Sequence, residues 1–239
     1  MKSSLTFGAM AGLAFAGAAT AEANLINEFQ ANPPGFDPST QTIELLGTAN
    51  ASFTGVLLSI ESDTGSTFGE VQQIESLSGA YDANGLLTFD VDDLENPSFT
   101  LVLADSFTGS DGFDFDTNDD GNIDDTTGLG TVYDAIGVYD DLNEAAYGSD
   151  LGGQDFGADA EPELIFRDSA TLAWYAVDEI DEDPLNLFDI DGNPVDAGLF
   201  SADPSQDTFG AANPAIPEPA SLALLTAGGL LVAGRRRRA

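Results

Sequence analysis

Between residues 116 and 124, oxygen-bearing side chains stand at every second position: Asp116, Asn118, Asp120, Asn122 and Asp124. Gly121 takes the sixth place and Ile123 the eighth. Alternating oxygens suit a tightly curled loop that points them at one hard cation. Glycine permits the sharp reversal, and the apolar residue packs on the core side. The spacing predicts a calcium ion held by the side chains of Asp116, Asn118, Asp120 and Asp124 and by the carbonyl of Asn122. The twelfth position is Thr127 where a bidentate acid is needed, so Asp111, Asp114 or Asp125 would have to complete the shell. The competing reading is a solvated acidic turn without metal.

Other residues carry weaker signals. Asp189, Asp191, Gly192 and Asn193 form a second acidic run, read as a hairpin turn. The acids between 178 and 183 read as a solvated loop. Arg167 is expected in a structural ion pair with Asp168, Glu163 or another strand neighbour, because the surrounding negative field repels anionic ligands. Trp174 and Tyr175 read as core and edge packing in preference to a sugar-stacking platform. Glycosidases need two carboxylates, but among so many acids some pair always has the right separation. Asp63-Thr64-Gly65 matches an aspartic-protease string, yet there is no second copy and no length for two lobes. No catalytic residue is assigned and no enzyme is expected. The alternatives are a carboxylate-dependent hydrolase of matrix polysaccharide, or an accessory module that docks a secreted nuclease or phosphatase.

Composition narrows the chemistry further. The 239 residues hold 42 Asp and Glu against 6 Lys and Arg, a net charge of −36. From residue 24 to 216 the sole base is Arg167, against 40 acids, a charge of −39. Phosphate backbones cannot be gripped by such a surface, so no nucleic-acid partner is expected. There is no His and no Cys, which removes His-dependent hydrolysis, the usual zinc sites, haem ligation and disulfides. Carboxylate chemistry and hard-cation binding survive. The 42% hydrophobic content argues for a folded domain, since a chain of such charge with few apolar residues would be disordered.

The elements that must position these residues are short. Apolar, β-branched or aromatic runs bounded by Gly, Pro, Asn, Asp and Ser predict strands at 25–30, 42–46, 54–61, 70–77, 86–91, 99–104, 132–138, 163–167, 173–177 and 186–190. Residues 143–147 suggest one helical turn. The pattern is all-β and predicts a β-sandwich with hairpin and Greek-key connections. The insertion at 105–130 is long enough to be functional or ligand-ordered. Residues 24–200 form the expected acidic domain, and 201–216 a flexible linker.

The ends read as addresses. Residues 1–23 look like a secretory signal peptide, with Lys2, an uncharged stretch and Ala19 and Ala21 as a cleavage pattern. Near the other end come Pro217, Glu218 and Pro219, an uncharged stretch to Gly234, then Arg235, Arg236, Arg237 and Arg238. Fifteen helical residues span only about 22 Å, short of a bilayer core. The arginines would stay cytoplasmic and leave everything upstream outside. The segment 217–239 closely resembles the PEP-CTERM sorting signal. That resemblance implies processing by an exosortase, an integral-membrane enzyme of exopolysaccharide-producing Gram-negative bacteria. It also implies a membrane intermediate held by the C-terminal helix, then release to the outer surface or extracellular matrix. Exopolysaccharide or a secreted hydrolase is the partner expected there.

The domain carries a second resemblance. Leu25-Ile26-Asn27-Glu28-Phe29, Ala31-Asn32-Pro33 and Ile43-Glu44-Leu45, with Val132-Tyr133-Asp134 later, are similar to the lamin-tail domain of bacterial secreted proteins. It implies an immunoglobulin-like β-sandwich acting as a non-catalytic extracellular module.

Overall fold

Each run of apolar residues closed off by turn residues becomes a strand. The structure, a computed structural model, describes residues 24–217 apart from 36–37, 64–65, 95–97, 142, 158–160 and 182. The expected signal peptide and the sorting signal from Glu218 onward lie outside the described residues. In chain order the strands are β1 (Leu25–Phe29), β2 (Thr40–Leu46), β3 (Ser52–Glu61), β4 (Val71–Ala80), β5 (Leu86–Asp92) and β6 (Phe99–Ala104). After them come β7 (Val132–Val138), β8 (Gln154–Asp155), β9 (Leu164–Arg167), β10 (Trp174–Val177) and β11 (Leu187–Asp189). They form a six-stranded sheet, β11-β10-β9-β1-β2-β5, and a five-stranded sheet, β4-β3-β6-β7-β8. This all-β, two-sheet arrangement agrees with the expected β-sandwich.

Strand alternation shows where the core sits. Ile43 and Leu45 of β2, Leu57 of β3, Leu101 and Leu103 of β6, Ile136 of β7 and Trp174 of β10 meet in one buried cluster. Many of their chain neighbours face the other way and are buried or half-buried too. Leu58, Val102 and Ala135 join Phe115 and Tyr147 on the far side of the five-stranded sheet. Leu164, Phe166 and Val177 join Leu187, Tyr175 and Phe200 on the far side of the six-stranded one. Both outer faces are therefore covered by chain in part, while outward positions of β4 and β5 stay exposed. A strand packed on both faces has no polar alternation, and β6, Phe-Thr-Leu-Val-Leu-Ala, is buried at every position.

Covering the faces explains where the structure departs from expectation. The insertion between β6 and β7 folds over the five-stranded sheet with its own aromatic centre. There the Phe113 and Phe115 rings lie 4.9 Å apart, and Phe107 lies 5.6 Å from Phe113. The helical turn expected at 143–147 does not form. Tyr147 is instead buried, its amide donating to Thr100 Oγ1 at 2.9 Å. The helical element among the described residues is one 3-10 turn, Ala197–Leu199, capped by Asp196. Residues 201–216, expected as a flexible linker, lie bonded to the six-stranded sheet, with Pro204, Asn213 and Pro214 buried.

Candidate functional site

The acidic loop starts at the edge of the aromatic centre. Phe115 is fully buried, and its carbonyl accepts the amides of both Asp124 and Asp125, which closes residues 116–124 into a ring. Gly121 takes a φ of 81°, the left-handed region where glycine avoids a Cβ clash. Asp116 is fully buried and points inward. Its carboxylate accepts the amides of Asp120 at 3.1 Å and Gly121 at 2.7 Å, and the Tyr147 hydroxyl at 3.0 Å. Asn118, Asp120, Asn122 and Asp124 are exposed. Asp120 accepts from the Asn122 side chain, and Asp124 from the Thr117 hydroxyl. The five expected ligands thus share one ring, with Asp116 committed to the ring's own backbone. Among the described residues no group of three or more carboxylates converges closely enough to hold a metal ion. Negative charge is nonetheless crowded. Burial, then Asp119, Asp116 and Glu70, raise the carboxyl of Asp114 above its ordinary range. Burial and the Asp116 contact likewise push the Tyr147 phenol up.

The run at 189–193 is the tight turn expected. Asp189 Oδ1 accepts the amides of Asp191 and Asn193, and Gly192 has a φ of 78°.

Arg167 takes a partner that local spacing did not suggest. Its guanidinium crosses the sandwich to Asp134 of β7, with Nη2 at 2.8 and 3.0 Å from the two carboxylate oxygens. Nε donates to the Ile26 carbonyl and Nη1 to that of Leu172, while the group lies 3.9 Å over the Trp174 ring. Burial raises the Asp134 carboxyl, and Arg167 and the amides of Ile26 and Ala135 pull it back. The candidates named from sequence are occupied elsewhere: Asp168 accepts the amides of Ala170 and Thr171, and Glu163 that of Ile180. Trp174 is buried against Phe29, so it packs the core as expected.

The sequence reading missed a polar cradle on the outer face of β1 and β2. A bulge between Ile26 and Glu28 sets Asn27 and Glu28 both beside Glu44. Glu28 is 1% exposed and Glu44 fully buried. Burial dominates their titration. It pushes Glu28 up to about 7, against the Thr208 hydrogen bonds that lower it, with smaller raising effects from Glu44 and Asp207. Glu44 is raised for the same first reason. Their ligands come from residues 201–216. Thr208 donates its amide and hydroxyl to Glu28 at 2.7 and 2.8 Å, and Gly210 its amide to Glu44. The Asn213 amide nitrogen donates to the carbonyls of Asn27 and Arg167 at 3.2 and 2.9 Å. The Ile216 amide reaches Asp168 Oδ2 at 2.7 Å. Glu28 and Glu44 each have apolar neighbours in their strands, in Leu25–Phe29 and in Ile43-Glu44-Leu45, where an acid ordinarily faces water. The one signal was that each acid adjoins residues expected in the core.

The segment that follows this cradle decides the comparison. Residues 215–238 match the PEP-CTERM protein-sorting motif. The motif indicates an exported protein sorted through the membrane by an exosortase. No curated protein and no solved structure matches the chain significantly, and the lamin-tail resemblance finds no support in a family match. The PEP-CTERM match begins inside the docked segment. Ala215 exchanges hydrogen bonds with Ser201, Ile216 is bonded to Asp168, and Pro217 is exposed. Glu218, Pro219 and the arginines at 235–238 lie outside the described residues. Among the described residues no helix is long and apolar enough to cross a membrane.

Proposed function

We propose that this chain is a non-catalytic protein of the cell surface or extracellular matrix. Its acidic β-domain is the cargo, delivered by an exosortase through an inner-membrane intermediate. The observation that carries this reading is the PEP-CTERM motif at 215–238, joined directly to a folded domain. The short uncharged stretch supports a temporary anchor, since it is poorly matched to a bilayer. Matrix polysaccharide is the partner class, bound without turnover. Calcium belongs to the same proposal: the ring at 116–124 has the spacing of a chelating loop, and the crowded acids around Asp114 gain from a divalent ion.

Replacing Pro217, Glu218 and Pro219 together by Ala should leave a longer, membrane-retained form. Intact C-terminal mass and membrane fractionation read the outcome. Identical mass and fractionation for variant and wild type would refute the sorting reading.

A further inference from the structure

The geometry points to a second role for residues 201–216, resting on the sorting reading: they are a releasable strap that keeps the motif closed to its processing enzyme while docked in the Glu28–Glu44–Asn213 cradle. The strap is held by backbone groups that a processing enzyme would need. Peptide-binding sites commonly take a segment extended and engage its main chain on both sides of the recognised residues. Here the amides of Thr208, Gly210 and Ile216 are already given to Glu28, Glu44 and Asp168. These acceptors are buried, so each amide leaves a desolvated carboxylate behind when it departs. Asn213 pins the middle by bridging β1 and β9 through the carbonyls of Asn27 and Arg167.

Chain length makes the docking consequential. The uncharged stretch begins at Ala220, only four residues after Ile216. Docked, the strap lets the domain stand at most about 14 Å from the start of that stretch. A processing enzyme then has only that short reach between the docked Ile216 and the uncharged stretch in which to engage the chain. Phe200, packed on Phe166 and Tyr175, is the next anchor back along the chain. Released as far as Phe200, the tether reaches about 70 Å, and the chain before the motif has its backbone groups available.

The test combines amide exchange on the purified exported protein with tail removal in producing cells. In wild type the amides of Thr208, Gly210 and Ile216 should be protected. Asn213→Ala should speed their exchange about tenfold with β1 and β2 amides unchanged, and should speed tail removal. Ser169 and Ala212 line one cavity of about 150 Å³ with Asn27 and Asn213. Ser169 Oγ also donates to the Asn213 carbonyl at 2.7 Å, so a Ser169→Cys/Ala212→Cys pair, its oxidation verified by mass, should slow removal relative to Ser169→Cys alone, and reduction should return it to the rate of that single variant. Protected amides with equal removal rates in all these proteins would overturn the strap's role, as would fast exchange of those amides in wild type. A wild type that keeps its full mass overturns the sorting reading and the strap's role together, while exchange still reports the docking by itself.

Discussion

Among the described residues Arg167 has one charged partner, Asp134, in a chain that gives it dozens of acids to choose from. The pair with Asp134 is buried between the sheets, with every guanidinium nitrogen and both carboxylate oxygens hydrogen-bonded, so its value lies in what happens when one half is removed. Asp134→Ala should destabilise the protein by about 3–5 kcal/mol in urea denaturation, because it strands a buried guanidinium. Asp134→Leu combined with Arg167→Met should recover much of that loss. A double-variant loss equal to the sum of the losses of Asp134→Leu and Arg167→Met alone would show that the pair is not coupled. Glu28 gives a pH prediction of definite sign. Its carboxyl is ordinary in the unfolded chain and pushed up to about 7 in the folded one. The folded state therefore binds the proton more tightly, and stability is full below about pH 4.5 and lost as pH rises through 7. The shift corresponds to about 3 kcal/mol, with Glu44 acting in the same direction. Glu28→Gln should flatten the decline of stability between pH 5 and 7.5. An unchanged slope would mean that Glu28 is ionised at little cost.

The acidic ring shows how a local spacing can outline a curled loop without recording which distant group meets each of its side chains. Its spacing was legible because alternate oxygens and a glycine at the sixth place are a local pattern. That Asp116 would turn inward was not, because Tyr147 arrives from 31 residues away. Tyr147→Phe should cost roughly 1.5–3 kcal/mol, the range for a hydrogen bond to a charged group, with or without calcium. Asp116 is for the same reason a poor choice for testing metal binding. Asp120→Ala with Asp124→Ala removes only exposed carboxylates. In high NaCl, calcium at ten times its Kd should stabilise wild type by about 1.4 kcal/mol, and magnesium less. The double variant should lose that increment and Asp189→Ala should keep it. A melting temperature equally raised in wild type and double variant would leave diffuse charge neutralisation as the whole effect. The strands were the most legible elements. Each expected run lies within a few residues of an observed one, because β-branched and aromatic residues between turn formers specify a strand locally. β8 escaped notice because Gln154 and Asp155 have no apolar signal. They form a strand only by lying parallel to Ile136 and Gly137.

For the whole molecule, charge is the dominant fact. Carboxylates that repel one another in the compact state are screened beyond about 10 Å at 0.1 M salt. The exported protein should therefore melt higher in NaCl than in dilute buffer, as followed by calorimetry. A flat or falling melting temperature would show that the charges are already compensated within the fold. The excess of acids, the absence of His and Cys, the strand runs and the terminal sorting pattern all belong to the sequence by itself, because each is a property of neighbouring residues or of the sum. The tertiary structure decided which distant groups meet. Asp134 faces Arg167 across the sandwich, and Glu28 and Glu44 face Thr208 and Gly210 on a segment that composition marks as linker. A buried charge or amide needs a partner wherever one can be found. Where it is found depends on how the chain returns over its two sheets, which no local spacing records.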